Sequence, residues 1–301
     1  MRVPYKLKDW LQLKEDDTLM WCALSSNPKA IDILEKNIDK IYWNWLCSNP
    51  NAIEIICKNV DKVQWASLSE NPNAIDILDD NLDKICWLSL SLNPNASVIL
   101  SKNIDLIHWK QLSLNPGAIG ILQDNQDKID WDNLSLNPSA INILRLNLDK
   151  VNWFNLSENP NGLEILIDYP DKIDWFYLCS NPSQKAIDLI KENLDKTLNW
   201  SALSENPNAI SILEQNVDMV DWESLSDNPN AVHLLEQNID KVNADALLLS
   251  NPCVFEIDYK EIKRRKEHLT EELMKKCFHP NRLVYYLEKF NYYIGDDEYI
   301  G

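Results

Sequence analysis

Glycine and histidine are scarce in this chain, and long apolar runs are missing. The 301 residues include only five glycines and four histidines. So few glycines leave little material for a glycine-rich phosphate-binding loop, and four imidazoles offer few ligands for a zinc site. No run of about 18 apolar residues occurs, so the sequence predicts no transmembrane helix. The N-terminus, MRVPYKLKDWLQLKEDD, has no apolar signal core, so we expect a protein that is not secreted.

Positive charge is also in short supply. The chain has 29 Lys and Arg residues against 47 Asp and Glu residues, a formal net charge of −18. Residues 1–255 hold 37 of the acidic and 20 of the basic residues, so most of the negative charge belongs to that part. A surface of this sign disfavours nonspecific binding to nucleic acid or to an anionic membrane. We therefore expect neither as a partner.

A period of 22 residues organises most of the chain. Tryptophan marks it at Trp21, Trp43, Trp65, Trp87, Trp109, Trp131, Trp153 and Trp175, and then at Trp200 and Trp222 after three extra residues. Eleven Asn-Pro pairs keep the same spacing, among them Asn49-Pro50 and Asn71-Pro72. A typical copy reads D-K-I-x-W-x-x-L-S-x-N-P-x-A-I-x-I-L-x-x-N. Such a period indicates a solenoid of stacked repeats, because one repeat alone cannot bury its apolar side.

Each repeat is predicted to form two short helices, as residues 39–60 illustrate. Asp39 is a good N-cap for the first helix, which is short enough to include 3-10 turns. Asn49 is predicted to cap the second helix, with Pro50 at its first position, where the missing N–H costs nothing. Asn59 should end that helix in the left-handed conformation, and Val60 should return to the core.

The predicted fold is all-α: an α-solenoid of about eleven 22-residue repeats, each with two short helices of α or mixed α/3-10 type. We predict an N-terminal cap at residues 1–20, the solenoid at 21–252 and a helical C-terminal cap at 253–301, in which 258–277 form one longer helix. The structural residues are predicted to be a buried core ladder of tryptophans and the Asn-Pro steps: Trp43, Trp65, Trp87, Trp109, Trp131, Trp153, Asn49, Pro50, Asn71 and Pro72.

The repeat motif carries a resemblance. Residues 65–98, WASLSENPNAIDILDDNLDKICWLSLSLNPNASV, resemble repeat proteins encoded by giant nucleocytoplasmic large DNA viruses of amoebae and algae. Residues 278–283 (FHPNRL) resemble a C-terminal element seen in many proteins of such viruses. The resemblance covers roughly residues 10–290. It implies a viral origin, expression in the cytoplasm of an infected host and packaging in the virion, but no particular activity.

No catalytic or cofactor-binding motif occurs in the chain. The fingerprints of nucleophile elbows, zinc proteases, P-loops and dinucleotide sites are missing. The Asp that recurs in register with Asp39 is better explained as an N-cap than as a metal ladder. The seven cysteines form no CxxC pair, which favours free thiols in the reducing cytosol. We therefore predict a protein that is not an enzyme, with no catalytic residue, metal or cofactor.

One candidate partner-binding surface lies in the middle of the array. The residue before Asn-Pro is Ser or acidic in most copies, but it is Leu92, Leu114 and Leu136 in three consecutive ones. The same copies lose the acidic residue at a variable position of the second helix. Because equivalent positions line up in a solenoid, we predict an apolar stripe flanked by acidic ends. The alternative, that these leucines pack between repeats, stays open.

A second candidate surface consists of Phe154, Phe176 and Tyr177. These residues follow Trp153 and Trp175 at positions that are mostly small or polar in other copies. Exposed aromatic side chains are typical of protein interfaces.

The sequence thus favours a non-enzymatic scaffold or adaptor for protein–protein interaction. The expected partner is another protein, with no role for nucleic acid or a membrane, and self-association stays open. Two alternatives remain: a structural component of the virion or its assembly, and an acidic mimic of nucleic acid that blocks a basic protein. The expected location is cytoplasmic, in the host cell if the protein is viral, or in the virion.

Overall fold

The computed structural model describes residues 3–8, 18–238, 241, 251–266, 275 and 289. The chain divides into two units, one comprising Leu7–Phe255 and the other Met1–Lys6 with Glu256–Gly301. The larger unit is an all-α solenoid with a repeat of 22 residues, which confirms the predicted fold class. Ten pairs of helices lie within residues 18–238. Ala244, at the position where the period would place an eleventh tryptophan, lies outside the described residues.

The first helices of the repeats form one row. With the exception of the earliest, they begin at the repeat's tryptophan, and successive members pack against one another from α1 to α7, from α9 to α15 and at α17 with α19. They are α1 (Thr18–Ser26), α3 (Trp43–Ser48), α5 (Trp65–Glu70), α7 (Trp87–Leu90), α9 (Trp109–Leu114), α11 (Trp131–Leu136), α13 (Trp153–Glu158), α15 (Trp175–Leu178), α17 (Trp200–Glu205) and α19 (Trp222–Leu225).

The second helices follow the Asn-Pro step of each repeat. They are α2 (Ile31–Glu35), α4 (Ile53–Cys57), α6 (Ile75–Asp79), α8 (Ser97–Lys102), α10 (Ile119–Asp124), α12 (Ile141–Arg145), α14 (Leu163–Leu166), α16 (Gln184–Lys191), α18 (Ile210–Gln215) and α20 (Val232–Gln237). The three extra residues of the irregular repeat fall in and after α16, which is the longest of this set at eight residues.

A 3-10 turn precedes most of the first helices as a separate element. These turns are η1 (Ile38–Lys40), η2 (Val60–Lys62), η3 (Leu82–Lys84), η4 (Ile104–Leu106), η6 (Gln126–Lys128), η7 (Leu148–Lys150), η8 (Pro170–Lys172) and η9 (Val217–Met219). Two further turns, η5 (Pro116–Ala118) and η10 (Pro252–Val254), begin at the proline of an Asn-Pro step. Asp39 therefore lies inside η1 and is not an N-cap, which corrects the prediction. The cap of α3 is Tyr42, and where Asp or Asn stands in this register, as at Asp130, its side chain accepts a backbone N–H.

The core is a column of small and branched side chains. In each described repeat a leucine from the first helix, such as Leu134, and a leucine or isoleucine from the second helix, such as Leu144, are fully buried. An alanine after Asn-Pro, such as Ala140, is buried with them in all but one of these repeats. Burial of one leucine side chain contributes about 1.5–3 kcal/mol relative to its exposure. The hydrophobic residue after the repeat's last Asn does not join this core. Val60 is 70% exposed, because η2 turns it away, so the prediction for it was wrong.

The Asn of each Asn-Pro step joins neighbouring repeats. The Nδ2 group of Asn49 donates to the carbonyls of Ser25 and Asn27 in the preceding repeat, each at 3.0 Å, and its Oδ1 accepts the N–H of Asn51 at 3.0 Å. The same pattern recurs at every step from Asn71 to Asn251, and all of these side chains are buried. At Asn49 the predicted capping role is wrong in detail, because α4 begins only at Ile53, whereas Asn115 and Asn251 do cap the 3-10 turns η5 and η10. The asparagines instead form an inter-repeat ladder.

The last Asn of the repeat has a different role from the predicted one. Asn59 has φ −137° and ψ 51°, outside the left-handed region, so it is not a left-handed C-cap. Its Nδ2 group donates back to the carbonyl of Ile55 at 2.8 Å, and its own carbonyl accepts the N–H of Lys62. An Asn side chain thus pairs a carbonyl of the last helical turn that has no helical partner.

The tryptophan ladder is half-buried, which corrects its assignment to the core. Trp21 at the start is buried, but Trp43 and its successors are covered on only part of their surface. A lysine of the next repeat lies over seven of the ten indoles, with its Nζ atom 4.6–5.9 Å from the ring centroid. Such a cation–π contact contributes about 0.5–1 kcal/mol at an exposed site. In the described structure Trp87 and Trp200 have Leu106 and Met219 at the lysine register instead.

Gly117 marks a close approach between two repeats. A Cβ atom at this position would lie 1.9 Å from the carbonyl oxygen of Pro94, whereas a Cβ atom at Gly120 would meet nothing within 4 Å. The two glycines are three residues apart, but only Gly117 is required by packing.

The chain also has a short two-stranded sheet, which the all-α prediction missed. Strands β1 (Tyr5–Leu7) and β2 (Phe255–Ile257) pair, and the boundary between the two units falls within them. In the smaller unit the N–H of Asp258 donates to the carbonyl of Pro4, and residues 259–266 are helical. The predicted helix at 258–277 therefore holds for its described part, and most of its remainder lies outside the described residues. The capping role assigned to both termini stays a prediction.

Candidate functional site

The exposed side of the first-helix row is built from the two residues that follow each tryptophan. Side chains 23 residues apart meet across the repeat boundary: Ser67 Oγ donates to Asn44 Oδ1 at 2.7 Å, and Asn155 Nδ2 donates to the carbonyl of Asp132 at 2.8 Å. The first residue after Trp in one repeat therefore contacts the second residue after Trp in the next. Side chains at these two positions form a continuous surface along the array.

Phe154, Phe176 and Tyr177 form a cluster on this surface, which we call the aromatic cluster. The ring centroids of Phe154 and Tyr177 are 5.9 Å apart with a 51° interplanar angle, and those of Phe176 and Tyr177 are 5.7 Å apart at 74°. These tilted and edge-on arrangements are the favourable ones for aromatic pairs. The three side chains are nevertheless 57%, 47% and 40% exposed. The structure thus brings together the three aromatic residues singled out from the sequence and leaves them open to solvent.

An open groove of about 590 Å³ lies beside the aromatic cluster, between the repeats of Trp153 and Trp175. Phe154 belongs to both the cluster and the groove wall. The wall also carries four carboxylates and two ammonium groups, from Asp132, Asp149, Asp171, Asp174, Lys150 and Lys172. We call this feature the acidic groove.

The charged groups of the acidic groove are used unequally. Asp132 Oδ1 accepts from Asn152 Nδ2 at 2.8 Å, and Asp174 Oδ1 caps α15 by accepting the N–H of Tyr177 at 3.0 Å. Lys150 lies over the ring of Trp131 with its Nζ atom 4.6 Å from the centroid.

The two remaining carboxylates, Asp149 and Asp171, are exposed and occupy the register of Asp39. Asp171 has Lys172 Nζ at 3.6 Å, whereas Asp149 makes no hydrogen bond or ion pair with any residue that the structure describes. These two side chains therefore have no capping or ladder role in the fold.

The repeat that forms this site departs from its neighbours at several positions. Gly162 takes the place of the buried alanine, and a Cβ atom there would lie 2.0 Å from the carbonyl oxygen of Leu156. Tyr169 takes the place of the last Asn, and its ring packs against the Trp153 indole with centroids 5.3 Å apart. Lys172 has the lysine register but is not over Trp153. These side-chain contacts are therefore specific to this repeat.

The leucine stripe has a less open position than the aromatic cluster. Leu92, Leu114 and Leu136 are each half-buried near the C-terminal ends of first helices. They are neither the exposed stripe nor the buried packing residues that the two interpretations describe. Their role in partner binding stays a prediction. Val98, at the second-helix position where these copies lose their acidic residue, is 61% exposed.

Groups that could hold a metal ion are not found within the described part of the chain, where no cluster of three or more His, Cys, Asp or Glu side chains occurs. The described cysteines are free thiols. Cys47 and Cys179 are buried in the serine register, and burial raises the pKa of both thiols. Cys57, by contrast, is exposed. None of the helices searched among the described residues is long and apolar enough to cross a membrane.

Sequence reasoning missed the acidic groove and two exposed apolar residues of the same repeats. Leu146 is 85% exposed and Ile167 is 68% exposed, both at positions where most copies carry a polar residue. The same comparison of columns that identified the aromatic cluster would have found both residues. The groove had no such signal, because it depends on how far apart two repeats lie.

Comparison with known proteins adds no assignment. No protein-family model matches the chain. No curated protein matches it either. Comparison with solved structures likewise gave no match.

Proposed function

We propose that this protein is a non-enzymatic scaffold or adaptor that binds another protein through the aromatic cluster. The observation that carries the proposal is the exposure of Phe154, Phe176 and Tyr177, which touch one another across two repeats yet keep roughly half of their surface in solvent. Aromatic side chains dominate the binding energy of protein interfaces because they bury a large area with few rotatable bonds.

Stacking of the repeats does not require aromatic residues at these positions. The register of Phe154 and Phe176 holds Ser201 in a later repeat, and the register of Tyr177 holds Ser67 in an earlier one. Those repeats form the same pair of helices. A selective advantage other than folding is the simplest reason for three large exposed rings here, and partner binding supplies it.

The resemblance to giant-virus repeat proteins supplies a setting for the proposal. On that basis we place the binding event in the cytoplasm of an infected host cell. The acidic face of the solenoid supports a protein partner over nucleic acid, since nucleic acid repels a surface of this charge.

The test is affinity capture from lysate with three baits, read by quantitative mass spectrometry. The baits are the wild type, the Phe154→Ser/Phe176→Ser/Tyr177→Ser variant, and a Trp45→Ser control. Trp45 is 50% exposed and has the same register as Tyr177, two residues after the tryptophan of its own repeat. The control therefore removes an equally exposed aromatic residue from the same row of helices.

A partner retained by the wild type and the control but weakened about tenfold or more by the triple variant supports the proposal. Circular dichroism should show equal helicity in all three. An identical set of proteins on all three baits contradicts the role of the aromatic cluster. Recovery of capsid proteins or of the chain itself alone favours the alternative of a virion component.

A further inference from the structure

We propose that the partner binds through a basic segment, with a Lys or Arg side chain in the acidic groove and an adjacent apolar residue on the aromatic cluster. This inference rests on the proposed function and adds the chemistry of the partner to it. It follows from the charge of the groove, from the continuity of the groove with the aromatic cluster and from a contact that the solenoid itself repeats.

The acidic groove carries net negative charge. Its wall has four carboxylates against two ammonium groups, and both ammonium groups already have partners within the array. Lys150 lies over Trp131, and Lys172 is next to Asp171. A cationic side chain entering the groove therefore meets net negative charge from several sides at once.

The acidic groove is continuous with the aromatic cluster. Phe154 is both a wall of the groove and a member of the aromatic cluster, so a ligand can contact both features at once. The groove volume of about 590 Å³ lies within the range of ligand sites of about 300–1,000 Å³. A side chain as long as Lys or Arg reaches from an apolar contact to a carboxylate because its methylene stem packs on aromatic surface while its charged head stays polar.

Lysine side chains of the solenoid itself bind to aromatic rings. Seven lysines place their Nζ atoms 4.6–5.9 Å from indole centroids along this array. Trp153 differs: Tyr169 packs on it at 5.3 Å, and its register lysine, Lys172, is beside Asp171. The site therefore keeps exposed aromatic rings and acidic side chains, while the internal cation–π contact of the other repeats is missing from Trp153.

Two carboxylates of the groove can be tested without disturbing the fold. Asp149 and Asp171 are exposed and neither caps a helix nor joins the ladder, so Asp149→Asn/Asp171→Asn removes charge and little else. A matched control is Asp83→Asn/Asp105→Asn, since these exposed residues have the same register in earlier repeats. The control lowers the net negative charge by the same amount, away from the groove.

The experiment is a selection of random dodecapeptides displayed on phage against the full chain. Four baits are compared: the wild type, the carboxylate variant, its matched control and the triple aromatic variant. The best peptide is then synthesised, and its affinity is measured by fluorescence polarisation at low and high salt. A copy in which each Lys is acetylated and each Arg is replaced by citrulline keeps the shape and removes the charge.

We expect peptides that carry Lys or Arg beside an apolar residue. Their affinity should fall about tenfold or more on the carboxylate variant, change less than about twofold on the control, and weaken with salt. The uncharged copy should bind at least about tenfold more weakly than the basic peptide.

The outcomes separate this inference from the proposed function. Peptides that lose affinity on the aromatic variant but contain no basic residue, or that ignore the carboxylate variant, overturn the basic-segment inference and leave the proposed function standing. A selection in which no peptide distinguishes the wild type from the aromatic variant overturns both. Equal losses on the carboxylate variant and its control also overturn the inference, because they show a general charge effect.

Discussion

The asparagine ladder makes a strong prediction for Asn137→Ala in the centre of the array. The Asn137 side chain is fully buried, and its Nδ2 group donates to the carbonyls of Ser113 and Asn115, each at 3.0 Å. Its Oδ1 atom accepts the N–H of Ser139 at 2.9 Å. Alanine removes all three hydrogen bonds and fills none of the vacated positions with a polar atom.

The expected loss follows from what each former partner retains. The Asn115 carbonyl keeps the N–H of Ala118 at 3.2 Å, so its loss is small. The Ser113 carbonyl is near the end of α9, where no later helical N–H reaches it, and it is left unpaired in the interior. An unpaired buried group costs about 1–3 kcal/mol, and the Ser139 N–H adds to this, so we expect a loss of about 2–4 kcal/mol in the free energy of unfolding.

The assay is urea denaturation followed by circular dichroism and by tryptophan fluorescence. The control is Asn142→Ala in α12. The Asn142 side chain is exposed and makes no hydrogen bond with any residue that the structure describes. Its change should stay within about 0.5 kcal/mol. Because a solenoid is held by contacts between neighbours, Asn137→Ala should also separate the unfolding of the two halves and lower the m-value.

A loss for Asn137→Ala no larger than that of Asn142→Ala would refute the reasoning. It would show that water or a local rearrangement replaces the hydrogen bonds of the ladder. If the free energy of unfolding falls by the expected amount but the m-value is unchanged, the hydrogen bonds stabilise the fold as described and the two halves still unfold together.

Three further predictions concern single positions. Gly117→Ala should lower the free energy of unfolding by about 1–3 kcal/mol because its Cβ atom has no room, whereas Gly120→Ala should raise it by about 0.5–1 kcal/mol through helix propensity. Urea denaturation of the two variants tests this prediction, and equal effects would contradict it. Leu106→Lys should raise the free energy of unfolding by about 0.5–1 kcal/mol, because it supplies Trp87 with the cation that seven other indoles have. An unchanged free energy of unfolding would show that the register alone does not place the lysine over the ring. Hydrogen bonds from two arginines lower the pKa of Glu261 to about 2. The stabilisation by this ion pair should therefore be complete above the ordinary glutamate pKa near 4.5 and be lost as the pH falls towards 2, and a carboxyl NMR titration of Glu261 with an ordinary midpoint would refute this prediction.

The repeat, the helix pair and the core column could be predicted because they depend on spacing alone. A 22-residue period with apolar residues at fixed positions leaves few ways to bury them, and stacked helices are the simplest. The buried leucines and alanines, such as Leu134 and Ala140, follow directly from that pattern. The exposure of Val60 does not, because the 3-10 turn breaks the helical periodicity from which its burial was predicted.

The asparagine ladder could have been inferred from what Asn has and other capping residues lack. Ser, Thr and Asp cap helices as well as Asn does, so a purely capping position would vary among the eleven copies. Only an amide side chain both donates two hydrogen bonds and accepts one, as Asn49 does. The lysine that follows most of the aspartates in the register of Asp39 carries a similar signal, since Lys62 in that register lies over Trp43.

The candidate site was only partly within reach of the sequence. Comparing columns identified Phe154, Phe176 and Tyr177 as exceptions, and the structure shows them exposed and in contact. Their contact depends on a 23-residue offset across the repeat boundary, which a 22-residue alignment of columns does not reveal. The acidic groove depends on distances between repeats, and no residue pattern encodes those directly.

The recurring contacts between repeats have a direction. The later repeat supplies the asparagine amide, the N–H that reaches a serine hydroxyl and the lysine ammonium, while the earlier repeat supplies the carbonyls, the hydroxyl oxygen and the indole. During translation the earlier repeat is synthesised first. Each new repeat therefore leaves the ribosome after the segment that carries the groups accepting its hydrogen bonds and its lysine. The array is suited to grow one repeat at a time from its N-terminal end, with each addition docking on a finished template.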